Sequence, residues 1–317
     1  MFDLPSLQNV KRGPLTEPHA IFLLGVPGVG KSTFCAGAPS PIFLDTEGST
    51  GHLDVARWSI GSLDDATEAL TVLDRERHDF RTLVIDTTDA LEALVQAKVL
   101  MGTDQTINEY KGGFGKGNDA SLKEWRKILD ACFALRAKHG MHLIFTGHVQ
   151  IKSFKNPIGL DFDRYIAKLS DKSGSLIREA CAHVLFARYE VLTTKNDADK
   201  RVRGVSNGTR VVHTEWSAAW DAKNRADLPP ELPLSWDAFA AAASAASPER
   251  LDALGREADT VVAQLSPDRR AGAEAAVVKA KTARRAGDLA KIIDRARVIL
   301  ETTTSNQVNA DNKGASQ

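Results

Sequence analysis

The chain has 317 residues, 41 of them basic and 41 acidic, so its formal net charge is zero and any nucleic-acid footprint must be local. No apolar run approaches the ~20 residues of a membrane-spanning helix. The N-terminal segment also lacks the apolar core of a signal peptide. The cysteines Cys35, Cys132 and Cys181 are widely spaced, which favours core packing in a reducing, cytoplasmic compartment over disulfides or a metal site.

The first predicted strand, at residues 21–24, leads into the glycine-rich stretch GVPGVGKST at residues 25–33. This stretch fits the phosphate-binding loop pattern G-x-x-x-x-G-K-[ST]. Such a loop surrounds phosphates with backbone N–H groups, a lysine and a helix N-terminus, and its hydroxyl reaches Mg²⁺. We therefore predict nucleotide and Mg²⁺ binding. The predicted nucleotide-binding residues are Gly25, Pro27, Gly28, Val29, Gly30, Lys31, Ser32 and Thr33.

A second apolar strand, at residues 83–85, ends in Asp86. Carboxyl ends of strands carry the chemistry of open α/β sheets, so Asp86 is expected to hold Mg²⁺ together with Ser32. Thr87 occupies the position where an AAA+ enzyme usually has the water-activating glutamate. Glu47, at the end of another predicted strand, is the best candidate for that role.

Two polar segments, residues 102–119 and 152–174, are predicted to be long loops in which basic and aromatic residues alternate. Long loops in compact domains are usually functional, and this composition is typical of single-stranded nucleic-acid binding. The alternative is a solvated loop without a ligand. The residues predicted to contact DNA are Lys111, Lys116, Lys152, Lys155, Arg164, Lys168 and Lys172.

The sequence divides into four parts. They are a lead-in at residues 1–17, a nucleotide-binding core at 18–240, an alanine-rich helical appendage at 241–303 and a polar tail at 304–317. The tail has too few apolar residues to fold, which predicts disorder. For the core we predict an α/β fold with a largely parallel sheet flanked by helices.

Two stretches resemble RecA-type strand-exchange recombinases: FLDTEG at residues 43–48 and IFTGH at residues 144–148. The resemblance implies that Glu47 activates the attacking water. It also implies that His148 stands in the place of the family's polar γ-phosphate sensor.

The stretch AKNRADLP at residues 222–229 resembles the family segment that reaches into the ATP site of a neighbouring subunit. On that match Lys223 and Arg225 would act in trans, and the active form would be a homo-oligomeric filament or ring. A positive charge on the transferring phosphate can be worth ~10³–10⁵ in rate.

Residues 18–240 as a whole look like the phage-encoded, single-core RecA-like P-loop ATPases. The resemblance implies ATP hydrolysis coupled to single-stranded DNA binding or annealing, in phage recombination or replication in the host cytoplasm. A single-strand-binding protein would be a further partner. Three alternatives stay open: a small-molecule P-loop kinase, a helicase-like or packaging motor, and a non-catalytic, nucleotide-dependent binding module.

Overall fold

The computed structural model describes residues 17–195, 202–245, 248–282 and 286–314. The chain divides into two compact units, one spanning Pro18–Ala241 and the other containing Ala242–Gln317. The predicted lead-in up to residue 16 lies outside the described residues. Among the described helices, none combines the length and the apolar character that crossing a bilayer requires.

The first unit is built around a nine-stranded sheet. In chain order the strands are β1 (Ala20–Gly25), β2 (Pro41–Asp45), β3 (Ala56–Ser59), β4 (Thr82–Asp86), β5 (His142–Phe154), β6 (Phe162–Ala167), β7 (His183–Lys195), β8 (Val202–His213) and β9 (Glu231–Pro233). Across the sheet they lie in the order β3-β2-β4-β5-β1-β7-β8-β9, and β6 pairs with β5. The pairs from β3 to β7 are parallel, whereas β6, β8 and β9 run antiparallel to their neighbours. The predicted, largely parallel α/β sheet is confirmed.

The first unit also contains helices, and further helices belong to the second unit. They are α1 (Lys31–Ala36), α2 (Leu63–Arg75), α3 (Thr88–Leu100), α4 (Lys116–His139), α5 (Asp171–Ala180), α6 (Trp236–Ala245), α7 (Pro248–Val262), α8 (Pro267–Thr282) and α9 (Ala286–Gly314). Leu70 of α2, Val95 of α3 and Trp125 of α4 pack in one apolar cluster with strand residues such as Leu83. These apolar helix faces cover one side of the sheet.

The register of the parallel strands determines which residues meet at the carboxyl edge. Gly25 at the end of β1 lies beside His148 of β5, and Asp45 at the end of β2 lies beside Asp86 of β4. Every residue of β1 is buried, as expected for a central parallel strand covered on both faces. Residues that are distant in the sequence therefore meet at one edge because the core packs tightly behind them.

The expectation of a long loop at residues 152–174 was wrong, because this segment forms a hairpin followed by a helix. β5 continues through Phe154 and pairs antiparallel with β6, and α5 follows. β-branched and aromatic residues flank a turn that contains proline and glycine, which is a hairpin pattern. The interleaved basic residues had favoured a loop. The segment at residues 102–119 contains irregular backbone, but α4 already begins at Lys116.

The second unit contains the predicted C-terminal helices. α7, α8 and α9 share an apolar cluster that includes Leu254, Val277 and Ile293. The prediction of disorder from residue 304 onward differs from the structure, in which α9 continues to Gly314. Extending an existing helix costs much less than nucleating a new one, and no proline interrupts this stretch. Residues 315–317 lie outside the described part.

Candidate active site

The phosphate-binding loop connects β1 to α1 in a conformation that its glycines allow. Gly28 and Gly30 have φ values of 73° and 107°, in the left-handed region that other residues rarely adopt. Gly25 is needed for a different reason, because a Cβ there would lie 2.7 Å from the carbonyl oxygen of Ala187 on β7. Close packing against β7 therefore shapes the loop together with its turns.

Lys31 begins α1, and its side chain folds back over the loop. Its Nζ donates to the carbonyl oxygens of Gly25 at 3.2 Å and Val26 at 3.3 Å. Burial lowers the pKa of Lys31, and nearby carboxylates, above all that of Asp86, act in the opposite direction. The ammonium thus stands on the phosphate loop, where bound phosphate oxygens could replace the two carbonyls as acceptors.

Asp86, at the end of β4, holds two hydroxyl groups. Ser32 Oγ donates to Asp86 Oδ2 at 2.7 Å, and Thr146 Oγ1 donates to Asp86 Oδ1. Asp86 is 1 % exposed. A carboxylate oxygen and a hydroxyl oxygen side by side are hard ligands, which Mg²⁺ prefers. Ser32 and Asp86 therefore fit the predicted ion, and Thr146 keeps the carboxylate oriented.

The turn after β2 is organised by Asp45, which sequence reasoning did not assign. Its carboxylate accepts the N–H groups of Gly48 at 2.8 Å and Thr50 at 3.2 Å, together with the Thr50 hydroxyl at 2.5 Å. Burial would raise the pKa of Asp45, but these hydrogen bonds hold it below its usual value. A rigid turn around one carboxylate positions Glu47.

Thr87, directly after Asp86, connects α3 to Glu47. Its Oγ1 caps α3 by accepting the Ala90 N–H and also donates to Glu47 Oε1 at 2.7 Å. Its main chain bonds the Thr46 side chain in both directions. Thr87 therefore links the start of α3 to the candidate water-activating carboxylate.

His148 stands between two carboxylates. Its Nδ1 lies 2.9 Å from Asp89 Oδ2 and 3.6 Å from Glu47 Oε1, and its backbone N–H donates to Asp89 Oδ1 at 3.0 Å. Burial would raise the pKa of Asp89, but the hydrogen bonds from His148 lower it to about 2. Ligand atoms of these three residues lie within 4.8 Å of one another, which is also compact enough for a metal ion. We call these three residues the triad: two hydrogen bonds from His148 to Asp89 orient the histidine, and Glu47 lies within ion-pair distance of the same ring.

The loop, the metal ligands, Glu47 and His148 line one cavity of about 430 Å³, a size typical of ligand pockets. The lining residues are Gly28, Gly30, Lys31, Ser32, Thr33, Glu47, Ser49, His52, Asp86, Thr87, His148 and Arg210. Of the other predicted loop residues, Gly25 and Val29 are buried beneath the cavity and Pro27 is exposed. The structure thus brings together residues from four strand ends.

Two residues of the hairpin β7–β8 also reach this site, and sequence reasoning missed both. Arg210 lines the cavity, and the Tyr189 hydroxyl donates to the carbonyl oxygen of Gly28 at 2.8 Å. Neither residue belongs to a recognisable motif, and only the pairing of β7 with β1 brings them to the loop.

Lys223 and Arg225, predicted to act in trans, differ in their surroundings. Lys223 Nζ donates to the carbonyl oxygens of Arg178, Glu179 and Cys181, at 3.1, 3.2 and 2.7 Å. These carbonyls belong to the end of α5, so Lys223 caps that helix within its own chain. Arg225 is exposed. The structure shows a local role for Lys223, and action in trans by either residue stays a prediction.

Most of the predicted DNA-contacting side chains are already paired. Four form ion pairs: Lys152–Asp171 at 3.8 Å, Lys155–Asp161 at 2.5 Å, Arg164–Asp221 at 2.6 Å, and Lys172–Asp119. Lys116 donates to the carbonyl oxygen of Lys111, whose ammonium lies over the Tyr110 ring. Lys168 is exposed, and no carboxylate in the described part of the chain forms an ion pair with it. DNA contact by this set stays a prediction.

Comparisons with known proteins place the fold in a family. No curated protein matches the chain. Among solved structures, the crystal structure of the RadB recombinase is similar, with 13 % sequence identity and a TM-score of 0.36 over 62 % of this chain and 80 % of that chain. A family model described as an AAA domain matches residues 17–226, which contain the phosphate loop, the metal ligands and the triad. The chain therefore belongs to the AAA domain family.

Proposed function

We propose that the protein is a RecA-like ATPase that hydrolyses ATP in response to single-stranded DNA, in recombination or replication. An AAA domain suggests nucleotide hydrolysis, and one observation carries the proposal further. A phosphate loop, a Ser–Asp oxygen pair and a positioned glutamate line a single cavity. These are the parts that in-line phosphoryl transfer to water requires.

The residues of the cavity divide the work of hydrolysis between them. Lys31 and the loop N–H groups bind the phosphates and neutralise their charge. Ser32 and Asp86 would hold the magnesium ion, which when bound supplies charge neutralisation and orientation of the β- and γ-phosphates. Glu47 accepts a hydrogen bond from the attacking water and aligns it. Thr87 fixes Glu47 through its hydroxyl, at 2.7 Å.

His148 connects the cavity to the hairpin β5–β6. Its side chain contacts Asp89 and Glu47, and its carbonyl oxygen accepts the Lys168 N–H at 2.8 Å. β5 then continues without a break into the hairpin. A change at the γ-phosphate that moves His148 would therefore be transmitted along one strand to a basic surface.

Exposed rings on this surface, two of them beside a guanidinium that is itself largely buried, support single-stranded DNA as the partner. The Arg164 guanidinium lies 5.5 Å from the Phe154 ring centroid and 5.9 Å from that of Trp216. Phe114, on the other basic segment, is 98 % exposed, and the Lys172–Asp119 pair joins the two segments. Flat rings beside cations are what unpaired bases stack on. Annealing, a filament or ring, and a trans-acting Arg225 are parts of the same proposal.

The test is the steady-state rate of phosphate release by the purified chain alone, with single-stranded DNA and with duplex DNA. We expect a low basal rate that single strands raise several-fold more than duplex does. Lys31→Ala is the control, because without its ammonium both basal and stimulated rates should vanish. Hydrolysis indifferent to every DNA would overturn the DNA part of the proposal. Phosphate transfer to a small molecule instead of water would overturn the ATPase part in favour of a kinase.

A further inference from the structure

Arg210 and Tyr189 form a pair on the hairpin β7–β8. They are direct cross-strand partners, and the Arg210 guanidinium lies 5.7 Å from the centroid of the Tyr189 ring. The Tyr189 hydroxyl donates to the carbonyl oxygen of Gly28 at 2.8 Å. The pair is thus attached to the phosphate loop, with the tyrosine as the support and the arginine stacked on it.

Arg210 approaches the loop closely. A Cβ on Gly30 would lie 2.9 Å from Arg210 Nη1. The arginine is anchored behind, where its carbonyl oxygen accepts the Leu234 N–H at 3.1 Å. Within the described ranges no carboxylate forms an ion pair with its guanidinium. An exposed, unneutralised cation therefore lines a cavity built for an anionic ligand.

The position of β8 in the sheet indicates which end of a nucleotide this cation meets. β4 and β2, whose ends carry Asp86 and Glu47, lie on one side of β1, whereas β7 and β8 lie on the other. A γ-phosphate placed for attack by water beside Glu47 leaves the rest of the nucleotide to extend across the loop, away from those carboxylates. That direction leads to Arg210.

We propose that Arg210, supported by Tyr189, binds the α-phosphate and nucleoside end of the nucleotide in the same chain that provides the phosphate loop. The inference rests on the proposed ATP site and deepens it. Such a contact is made equally to ATP, to the transition state and to ADP. It therefore contributes to affinity and leaves the chemical step unchanged, unlike a trans-acting arginine that contacts the transferring phosphate.

ADP titration of the Mg²⁺-containing full chain tests this without relying on turnover. We expect Arg210→Ala to weaken ADP binding by about 10- to 100-fold, as the loss of a charge-assisted hydrogen bond does. Arg210→Lys should recover part of the affinity, since it keeps the charge but loses the stacked plane. The matched control is Arg188→Ala, because Arg188 neighbours Tyr189 on β7 but lies over Trp220, away from the cavity. It should bind ADP like the wild type.

Kinetics separate the two roles an arginine can take. For Arg210→Ala we expect a KM for ATP raised to a similar extent as the dissociation constant for ADP, with kcat within about twofold of the wild type. Unchanged ADP affinity together with a lower kcat would overturn the inference while leaving the ATPase intact. Failure of the wild-type chain to bind ADP at all would instead overturn the proposed function.

A mixing experiment tests the same-chain assignment. Lys31→Ala and Arg210→Ala chains are combined and assayed for hydrolysis at sub-saturating ATP. If Arg210 serves its own loop, the mixture should give only the sum of the two separate activities. Recovery well above that sum would show that a neighbour's Arg210 completes the site and would overturn the inference. A wild-type melting temperature for Arg210→Ala, as well as for Arg210→Lys, excludes misfolding as the cause of the losses measured with each variant.

Discussion

The phosphate cavity and the hairpin β5–β6 are both rich in charge, but they hold that charge differently. In the cavity, Asp86 is 1 % exposed and is fixed by two hydroxyl donors. In the hairpin, Lys155 and Asp161 pair at 2.5 Å with side chains 88 % and 42 % exposed. A buried carboxylate needs its partners, because an unsatisfied one costs several kcal/mol. An exposed ion pair is worth ~0–1 kcal/mol and can be exchanged for another at little cost.

The buried charges of the cavity are held in one geometry, whereas the exposed charges of the hairpin can exchange one partner for another. The cavity network allows Glu47 few positions, since Thr87 and the turn around Asp45 both constrain it. The hairpin cations can leave their carboxylates for the phosphates of a nucleic acid. The ion pairs of the hairpin are therefore compatible with DNA binding, although they weaken it by the energy needed to separate them.

Removing the carboxylate of Glu47 should give the largest effect on ATP hydrolysis, because the cavity holds this side chain in one position. Glu47→Gln keeps the oxygen that accepts from Thr87, so the turn should be retained while the base is lost. We expect ATP hydrolysis to fall by ~10²–10³-fold, within the range for general-base removal, with ADP affinity within twofold of the wild type. Phosphate release at saturating ATP and ADP titration measure the two effects. Glu76→Gln, on the exposed end of α2, is the control. Unchanged turnover would show that Glu47 does not activate the water, and if that turnover is weak it would favour a nucleotide-dependent binding module.

Most residues that line the cavity could be predicted from the sequence, but few of the residues around them could. The loop, Ser32, Asp86 and Glu47 could be predicted because buried parallel strands read as short apolar runs and the polar residues directly after them share one edge. Arg210 could not be predicted, because it meets the loop only through the pairing of β7 with β1 and of β8 with β7.

Two further differences have physical causes that the sequence does not display. Lys223 is expected by resemblance to act in trans, and this stays a prediction; within its own chain it donates to carbonyls at the end of α5, a contact that the sequence does not display. The basic hairpin was interpreted as a loop because charged residues, Lys152 in β5 and Asp163 and Arg164 in β6, interrupt the apolar pattern of both strands. Cross-strand pairing corrects the interpretation of the hairpin, and the hydrogen bonds of Lys223 add a local role that the sequence did not indicate.

A histidine cluster at the opposite edge of the sheet differs from both regions, because its titratable side chains are buried with no carboxylate among the groups that shift the pKa of His19 and His183. His19, His142 and His183 lie at the amino ends of β1, β5 and β7, with ring centroids of neighbours 5.3 Å apart. Burial, with repulsion from neighbouring cationic groups, lowers the pKa of His19 to about 4 and that of His183 to about 3. The cluster therefore stays neutral in the folded protein at pH 7.

The sign of the resulting pH dependence follows from these depressed values. An unfolded histidine binds its proton near pH 6.5, whereas the folded cluster does not, so stability is full above pH 6.5 and falls as the pH drops toward 4. Between pH 7 and pH 5 we expect a loss on the order of 2 kcal/mol for each of His19 and His183. Urea titrations at several pH values measure it, and His183→Phe, which keeps an aromatic ring beside Phe239, should flatten the curve. An equally steep curve for that variant would show that other groups control acid stability.

Charge reversal on the basic surface should have the smallest effect, a change in DNA affinity. It distinguishes a lysine that is ion-paired from one that has no carboxylate partner among the described residues. Lys168 has no ion-pair carboxylate in the described part of the chain, whereas Lys155 has Asp161. Lys168→Glu should therefore weaken single-stranded DNA binding several-fold and flatten the log–log salt dependence by ~0.7, the amount expected for one lost phosphate contact. Lys155→Glu should do less, because Asp161 already neutralises much of that charge.

Fluorescence anisotropy of a labelled oligonucleotide over a range of salt concentrations measures both slopes. Lys168 also bonds the carbonyl of His148 through its backbone N–H, a contact that a side-chain substitution leaves in place. Loss of DNA stimulation in Lys168→Glu with an unchanged basal rate would then locate the effect at the phosphate contact and not at the cavity. Equal salt slopes for wild type and both variants would mean that the nucleic acid lies elsewhere. The exposed ion pairs of the hairpin would then be ordinary surface ion pairs, which contribute little to stability and bind no ligand.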